Sequence, residues 1–329
     1  MQCCFSFLNF LFKLSSTLSE ARSVMKSILY FINGTFSSII YFVNTLLWFV
    51  PIMLCSLVKL LPIRPLQKLM SIIADECATL WIGVNKLNQS VFSRTHFNAT
   101  LPTTLSTKQW YLVIANHQSW VDILVLQRVF NRKIPFLKFF LKQNLIFVPF
   151  IGLVWWGLDF PFMKRYSKAY LKKHPHLKGK DLETTKVACK KFENTPVSVM
   201  NFVEGTRFNE HKLQAPIHKT LGLSKMLAPK SGGVAFVLNA MGPRLTDLLN
   251  VTIFYPTGIP SFWDFVSGRV NEIVVEVDTV GISTLFDTGV YSAEYFTDEK
   301  QKQVFQNYLN TLWQHKQTKL IQLEKEYNV

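Results

Sequence analysis

The stretch Asn116-His117-Gln118-Ser119-Trp120-Val121-Asp122 sets a histidine and an aspartate with four residues between them, where an apolar run ends and a helical pattern begins. A carboxylate in a first helical turn can reach back to such an imidazole, fix its tautomer and stabilise its protonated form. A general base acting on a hydroxyl needs that support. The same residues also serve without chemistry, Asp122 as a first-turn charge and His117 as a hydrogen-bonded loop residue. Ser119 is the one hydroxyl nucleophile of the stretch, yet the chain has no Gly-x-Ser-x-Gly elbow, which argues against a serine hydrolase.

A second group, Asn201-Phe202-Val203-Glu204-Gly205-Thr206-Arg207, again follows a strand-like run. Gly205 allows a sharp turn, and Glu204, Thr206 and Arg207 bring an acceptor, a hydroxyl and a bidentate phosphate binder to one strand end. A plain turn with a Glu204–Arg207 surface ion pair is the alternative. Ligands of α/β sheets bind at the carboxyl ends of strands, so the two groups are predicted to meet in one crevice. His174 and His176 flank Pro175 without cysteine or acidic partners at ligand spacing, so no metal site is expected. Lys230-Ser231-Gly232-Gly233 lacks the Walker spacing. Five cysteines without paired spacing indicate no disulfide framework and fit a reducing compartment.

The elements that must carry these residues alternate. Trp110 to Ala115 is a short β-branched and aromatic run, followed by helical spacing over Ser119 to Phe130. Further strands are predicted at 134–139, 197–203, 251–255 and 272–278, and helices at 167–171, 184–193 and 234–240. From Asp298 an amphipathic helix is predicted, with Val304, Tyr308, Leu312, Leu320 and Leu323 on its apolar face. The pattern predicts an α/β fold, a mostly parallel central sheet flanked by helices, over residues 101–329. The apolar stretch from Leu145 to Trp156 could line a channel, face a bilayer or be core.

Residues 1–100 differ in kind, and are predicted to be N-terminal membrane-attachment helices. Ser27 to Val58 holds no charged residue, enough for one tilted span and too short for two complete ones. Lys13, Arg22 and Lys26 precede the run and Lys59, Arg64 and Lys68 follow it, so the flanks give no orientation. A hairpin dipping into one leaflet, breaking at Asn33-Gly34 or Pro51, explains that balance best, and would make the segment a separable anchor. The chain is 49% hydrophobic and 17% charged with a net charge of +15. That pairing favours an anionic membrane surface over nucleic acid as partner. Lys164 to Lys191, with ten Lys and Arg against two acids, is either a landing surface for anionic groups or a solvated face.

Asn116-His117-x-x-x-x-Asp122 followed by Phe202-x-Glu204-Gly205-Thr206-Arg207 resembles the 1-acylglycerol-3-phosphate acyltransferase family of glycerolipid acyltransferases. Lys142, Leu145, Pro149 and Gly152 are similar to its Lys-x-x-Leu-x-x-x-Pro-x-x-Gly segment, and Phe162-Met163-Lys164-Arg165 to its Phe-Ile-x-Arg. The resemblance runs from about Ala115 to Pro256. It implies transfer of a fatty acyl group from acyl-CoA or acyl carrier protein to a lysophospholipid at a membrane, with no further cofactor. It further implies His117 as base and Asp122 as its partner. Arg165 and Arg207 would be phosphate binders, and Lys142, Glu204, Gly205 and Thr206 part of the substrate site. A bacterial member would sit at the inner membrane with its site on the cytoplasmic face. Val203 and Phe208 stand where the family usually has Pro and Ser. Ala228 to Phe236 resembles a branch with certain bacterial and long-chain animal enzymes, which opens the choice of lysolipid. A non-catalytic basic membrane-binding protein would keep the charge without needing Glu204 or the His–Asp pair.

Overall fold

The computed structural model describes residues 2–163, 189, 192 and 195–328, with side chains from residue 19 onward except those of Lys142 and Met163. The N-terminal run is one continuous helix, α1 (Gln2–Val58), which passes through Asn33-Gly34 and contains Pro51. The predicted break inside the apolar run is therefore absent. Pro51 removes one backbone donor, a cost the rest of a long helix can carry. Gly34 is a packing position, since a Cβ there would stand 2.8 Å from the Trp263 ring.

The reversal comes after the run, at residues 59–63, and α2 (Arg64–Asn88) returns along α1. Polar groups fix the register of this pair. Asn44 Nδ2 donates to Asn85 Oδ1 at 2.8 Å, Asn88 Nδ2 to the Ser37 carbonyl at 3.1 Å, and Trp81 Nε1 to Thr45 Oγ1 at 3.2 Å. Lys59 and Lys138 tie the pair to the rest of the molecule. Lys59 donates to the Gly157 carbonyl and pairs with Asp159, while buried Lys138 bonds Asp75 of α2 at 2.9 Å.

Six strands form the main sheet: β1 (His96–Thr100), β2 (Tyr111–Ala115), β3 (Leu137–Phe139), β4 (Ser198–Phe202), β5 (Asp247–Phe254) and β6 (Glu272–Gly281). Their order is β1-β6-β5-β2-β4-β3, and every neighbouring pair is parallel except β5 with β6. In the centre, every residue of β2 is fully buried, as a strand covered on both faces requires. His96–Thr100 forms an edge strand with only Phe97 half-buried, so no apolar run announces it.

Helices cover both faces. On one side α1, α2 and α3 (Val121–Phe130) share a core with Val113, Ala115, Val251 and Ile253. Tyr41, Ile52 and Cys55 of α1 belong to that core, so α1 is part of the packed molecule and not a separable anchor. On the other side α5 (Ser231–Met241) and the C-terminal α7 (Glu299–Glu326) pack on Leu112, Ile114 and Phe254. Phe305, Leu309 and Trp313 of α7 point inward, whereas Val304 is exposed, so the buried stripe lies one residue beyond the predicted one in the first half of the helix. The short α4 (Ile151–Gly157) and the loop before it expose Phe147, Phe150, Leu153 and Trp156, while Val154 and Trp155 join α1 around an apolar cavity of about 150 Å³. Between α5 and α7, α6 (Phe262–Ser267) packs on α1 behind a capping box at Ser261. The predicted helices at 167–171 and 184–193 fall outside the described residues, apart from Cys189 and Phe192.

Candidate active site

The chain leaves β2 at Ala115, flanked by Phe202 of β4 and Val251 of β5. Asn116 locks this exit. Its side chain donates to the Ile253 carbonyl at 2.9 Å and accepts from the Ile253 N–H at 2.8 Å. The next residue, His117, is thus held at the centre of the sheet's carboxyl edge, where a parallel sheet collects ligands.

Asp122, in the first turn of α3, is completely buried among four donors. Its Oδ2 accepts from the Gln118 N–H at 2.7 Å and the Ser119 N–H at 2.9 Å, and lies 2.9 Å from His117 Nδ1. Its Oδ1 accepts from the Tyr255 hydroxyl at 2.5 Å. Burial and the Asp122 charge push the Tyr255 phenol well above its ordinary range, so it stays a donor. With Nδ1–H directed at the carboxylate, Nε2 carries the lone pair, the tautomer a base requires. The imidazole stacks on Phe202, centroids 3.9 Å apart and planes 14° apart. Ser119 is engaged elsewhere: its Oγ donates to the Pro260 carbonyl at 2.5 Å and accepts from the Val121 N–H.

The second group does meet the first. Phe208 N–H donates to the His117 carbonyl at 2.7 Å, and His117 N–H donates to Glu204 Oε1 at 3.0 Å. Glu204 Oε2 accepts from the Leu227 N–H at 2.9 Å, so both carboxylate oxygens hold backbone. Burial pushes the Glu204 carboxyl up to about 8, against the pull of these N–H groups and of Lys316. Gly205 has φ +73° in the turn, and a Cβ there would stand 3.3 Å from Lys230 Nζ. Thr206 Oγ1 accepts from Lys212 Nζ at 2.7 Å. The Arg207 guanidinium lies over the exposed Trp120 ring, 4.6 Å from its centroid, and does not pair with Glu204. Glu204, Thr206, Lys212 and Lys230 line one cavity of about 540 Å³ with Gln306 and Asn310 of α7. Lys142 lies in a two-residue ladder, Leu141–Lys142 beside Phe162–Met163. Arg165 lies outside the described residues.

Residues 96–256 match the family model described as Acyltransferase. They form an acyltransferase-family domain. Over 204 residues the chain is 26% identical to 1-acyl-sn-glycerol-3-phosphate acyltransferase 3 of Arabidopsis thaliana, covering 58% of this chain and 51% of that protein. The chain therefore spans about half the length of this relative. In structure it is similar to the 1-acyl-sn-glycerophosphate (LPA) acyltransferase PlsC of Thermotoga maritima, with a TM-score of 0.52 and 13% identity. That match covers 90% of this chain and 97% of the other, and shows a shared fold.

The acyltransferase domain draws on groups that motif spacing does not reveal. Tyr255 comes from just beyond β5, 133 positions after Asp122, and Phe202, a residue of the second motif, serves in addition as the shelf for the imidazole. Lys212 and Lys230 join Arg207 around the turn at Gly205, and only their positive charge in the sequence hints at it. Gly233 of α5 lets the helix approach β4, since a Cβ there would fall 2.2 Å from Asn201 Nδ2.

Proposed function

We propose that the protein transfers a fatty acyl group from a thioester, acyl-CoA or acyl carrier protein, to the free hydroxyl of a lysophospholipid. The favoured acceptor is 1-acylglycerol-3-phosphate, which gives phosphatidic acid. The carrying observation is His117, oriented through Nδ1 by a fully buried Asp122 and bonded directly to the turn that bears Gly205, Thr206 and Arg207. His117 Nε2 takes the hydroxyl proton as that oxygen attacks the thioester carbonyl. The C–O bond forms, the C–S bond breaks, and the imidazolium returns its proton to the thiolate. Arg207, with Lys142 and Arg165, is assigned to the acceptor's phosphate, and Gly205 and Thr206 to the wall of its pocket. Glu204 acts from below, through the backbone groups it holds.

We assign this reaction to a membrane surface, with the site on the cytoplasmic face. Residues 19–58 of α1 are long and apolar enough to cross a membrane, with 22% of their most apolar window buried in the molecule. Phe147, 82% exposed, and its apolar neighbours in α4 offer a second contact. The test is a radiolabelled assay of the membrane-reconstituted protein with acyl-CoA or acyl carrier protein and a panel of lysolipids. Label entering phosphatidic acid supports the reading. Label entering only another phospholipid reassigns the acceptor, and none anywhere refutes it.

A further inference from the structure

Trp120 stands between His117 and Asp122 in the chain, yet no step described above uses it. Its indole is 57% exposed and belongs to neither apolar core, so packing does not account for it. The turn that carries it is closely bonded. On one side of Trp120, Ser119 Oγ donates to the Pro260 carbonyl and accepts from the Val121 N–H, and Asp122 holds the N–H groups of Gln118 and Ser119. Arg207 arrives from the other half of the site. The Phe208 N–H clamps the Arg207–Phe208 peptide to the His117 carbonyl at 2.7 Å, and Lys212 Nζ reaches the Arg207 carbonyl at 3.5 Å. Two fixed turns thus bring the guanidinium carbon to 4.6 Å from the centre of the Trp120 ring.

Among the described residues no carboxylate pairs with Arg207. The charges bordering its turn are positive, Lys212 on the Thr206 hydroxyl and Lys230 against Gly205. A guanidinium that must receive a phosphate needs its N–H donors free. A carboxylate would hold it in place only by occupying those donors. An aromatic face attracts the cation through its quadrupole and takes none of them. We propose that Trp120 is a positioning residue, which holds Arg207 over its indole with the guanidinium donors open to the acceptor's phosphate. The same contact makes Trp120 a determinant of acceptor binding and leaves the proton transfer at His117 and the binding of the acyl donor to other groups.

The inference deepens the acyltransferase reading and rests on it only for its kinetic arm. Trp120→Phe keeps a ring, whereas Trp120→Leu keeps an apolar side chain without one. In acyl transfer by the reconstituted full chain, Trp120→Leu should raise KM for 1-acylglycerol-3-phosphate by about three- to tenfold. Its kcat and its KM for acyl-CoA should change little, and Trp120→Phe should stay close to the wild type. In an Arg207→Gln background Trp120→Leu should add nothing, because the ring acts through the guanidinium. The second arm needs no activity. The Arg207 side-chain Nε–H resonance, assigned by its loss in Arg207→Gln, should lie upfield under the ring current in the wild type and Trp120→Phe, and move downfield in Trp120→Leu. An equal rise in KM for both substrates, an equal rise in the Phe and Leu variants, or a rise that persists in the Arg207→Gln background overturns the proposal. So does a resonance that stays in place, or one that moves while KM does not. A wild type that transfers no acyl group refutes the acyltransferase reading, while the resonance arm still decides whether Trp120 holds Arg207.

Discussion

At the scale of single residues, the site depends on Asp122 having only acceptors to offer. Four donors converge on it, so an amide in its place would turn an N–H₂ toward one of them and release the imidazole tautomer. Asp122→Asn is expected to lower kcat nearly as much as His117→Ala, about 10²–10⁴-fold, in steady-state assays of folded protein. Ser119→Ala should cost far less activity, because its hydroxyl caps a turn against Pro260. Tyr255→Phe removes a donor to a buried carboxylate and should lower stability by about 1.5–3 kcal/mol in denaturant titrations. The His–Asp spacing was legible because both residues sit in one loop-to-helix junction. Tyr255 was not, because only sheet assembly brings the end of β5 beside that junction.

At the scale of elements, legibility followed burial. The central strand β2 reads as a continuous apolar run because both faces are covered, and its neighbour β4 as a mostly apolar one interrupted by Ser198 and Asn201, whereas β1 is an exposed edge and carries no such run. The C-terminal helix has two adjacent apolar stripes, Val304-Tyr308-Leu312 and Phe305-Leu309-Trp313. Periodicity cannot choose between them, and packing on Leu112 and Ile114 does. Asn33-Gly34 looked like a turn in the apolar run, yet the glycine is where α1 admits Trp263. Gly34→Val should therefore force α6 away from α1 and cost about 1–3 kcal/mol, visible as a lower melting temperature. Lys26 and Lys59 lie at opposite ends of one helical stretch, about 50 Å apart at ~1.5 Å per residue. Labelling reagents confined to one side of a sealed membrane should reach only one of them if α1 crosses it, and both if it lies along the surface.

At the scale of the whole molecule, the excess of basic charge and the apolar helix were readable from composition, but their coupling to the catalytic layer was not. Because Tyr41, Ile52 and Cys55 share a core with β2 and β5, removing residues 1–58 should expose that core. The truncated protein is expected to aggregate or lose cooperative unfolding; a monomeric, cooperatively folding truncation would show that the helix is an appendage after all. Binding to anionic vesicles should exceed binding to zwitterionic ones and weaken as salt rises from 0.1 M, with an apolar contribution that salt leaves in place. Equal binding to both at every salt concentration would assign the attachment to apolar contact alone.

The central claim is that His117 moves the proton of a lysolipid hydroxyl directly to a departing thiolate. It is tested most directly by single-turnover acyl transfer from labelled acyl-CoA to 1-acylglycerol-3-phosphate, comparing the wild type with His117→Ala and trapping protein-bound label by acid quench. The expected result is labelled phosphatidic acid from the wild type, a loss of about 10²–10⁴-fold in the variant, and no label on the protein at any time. Label accumulating on Ser119 before product appears, or a His117→Ala protein as fast as the wild type, would contradict it.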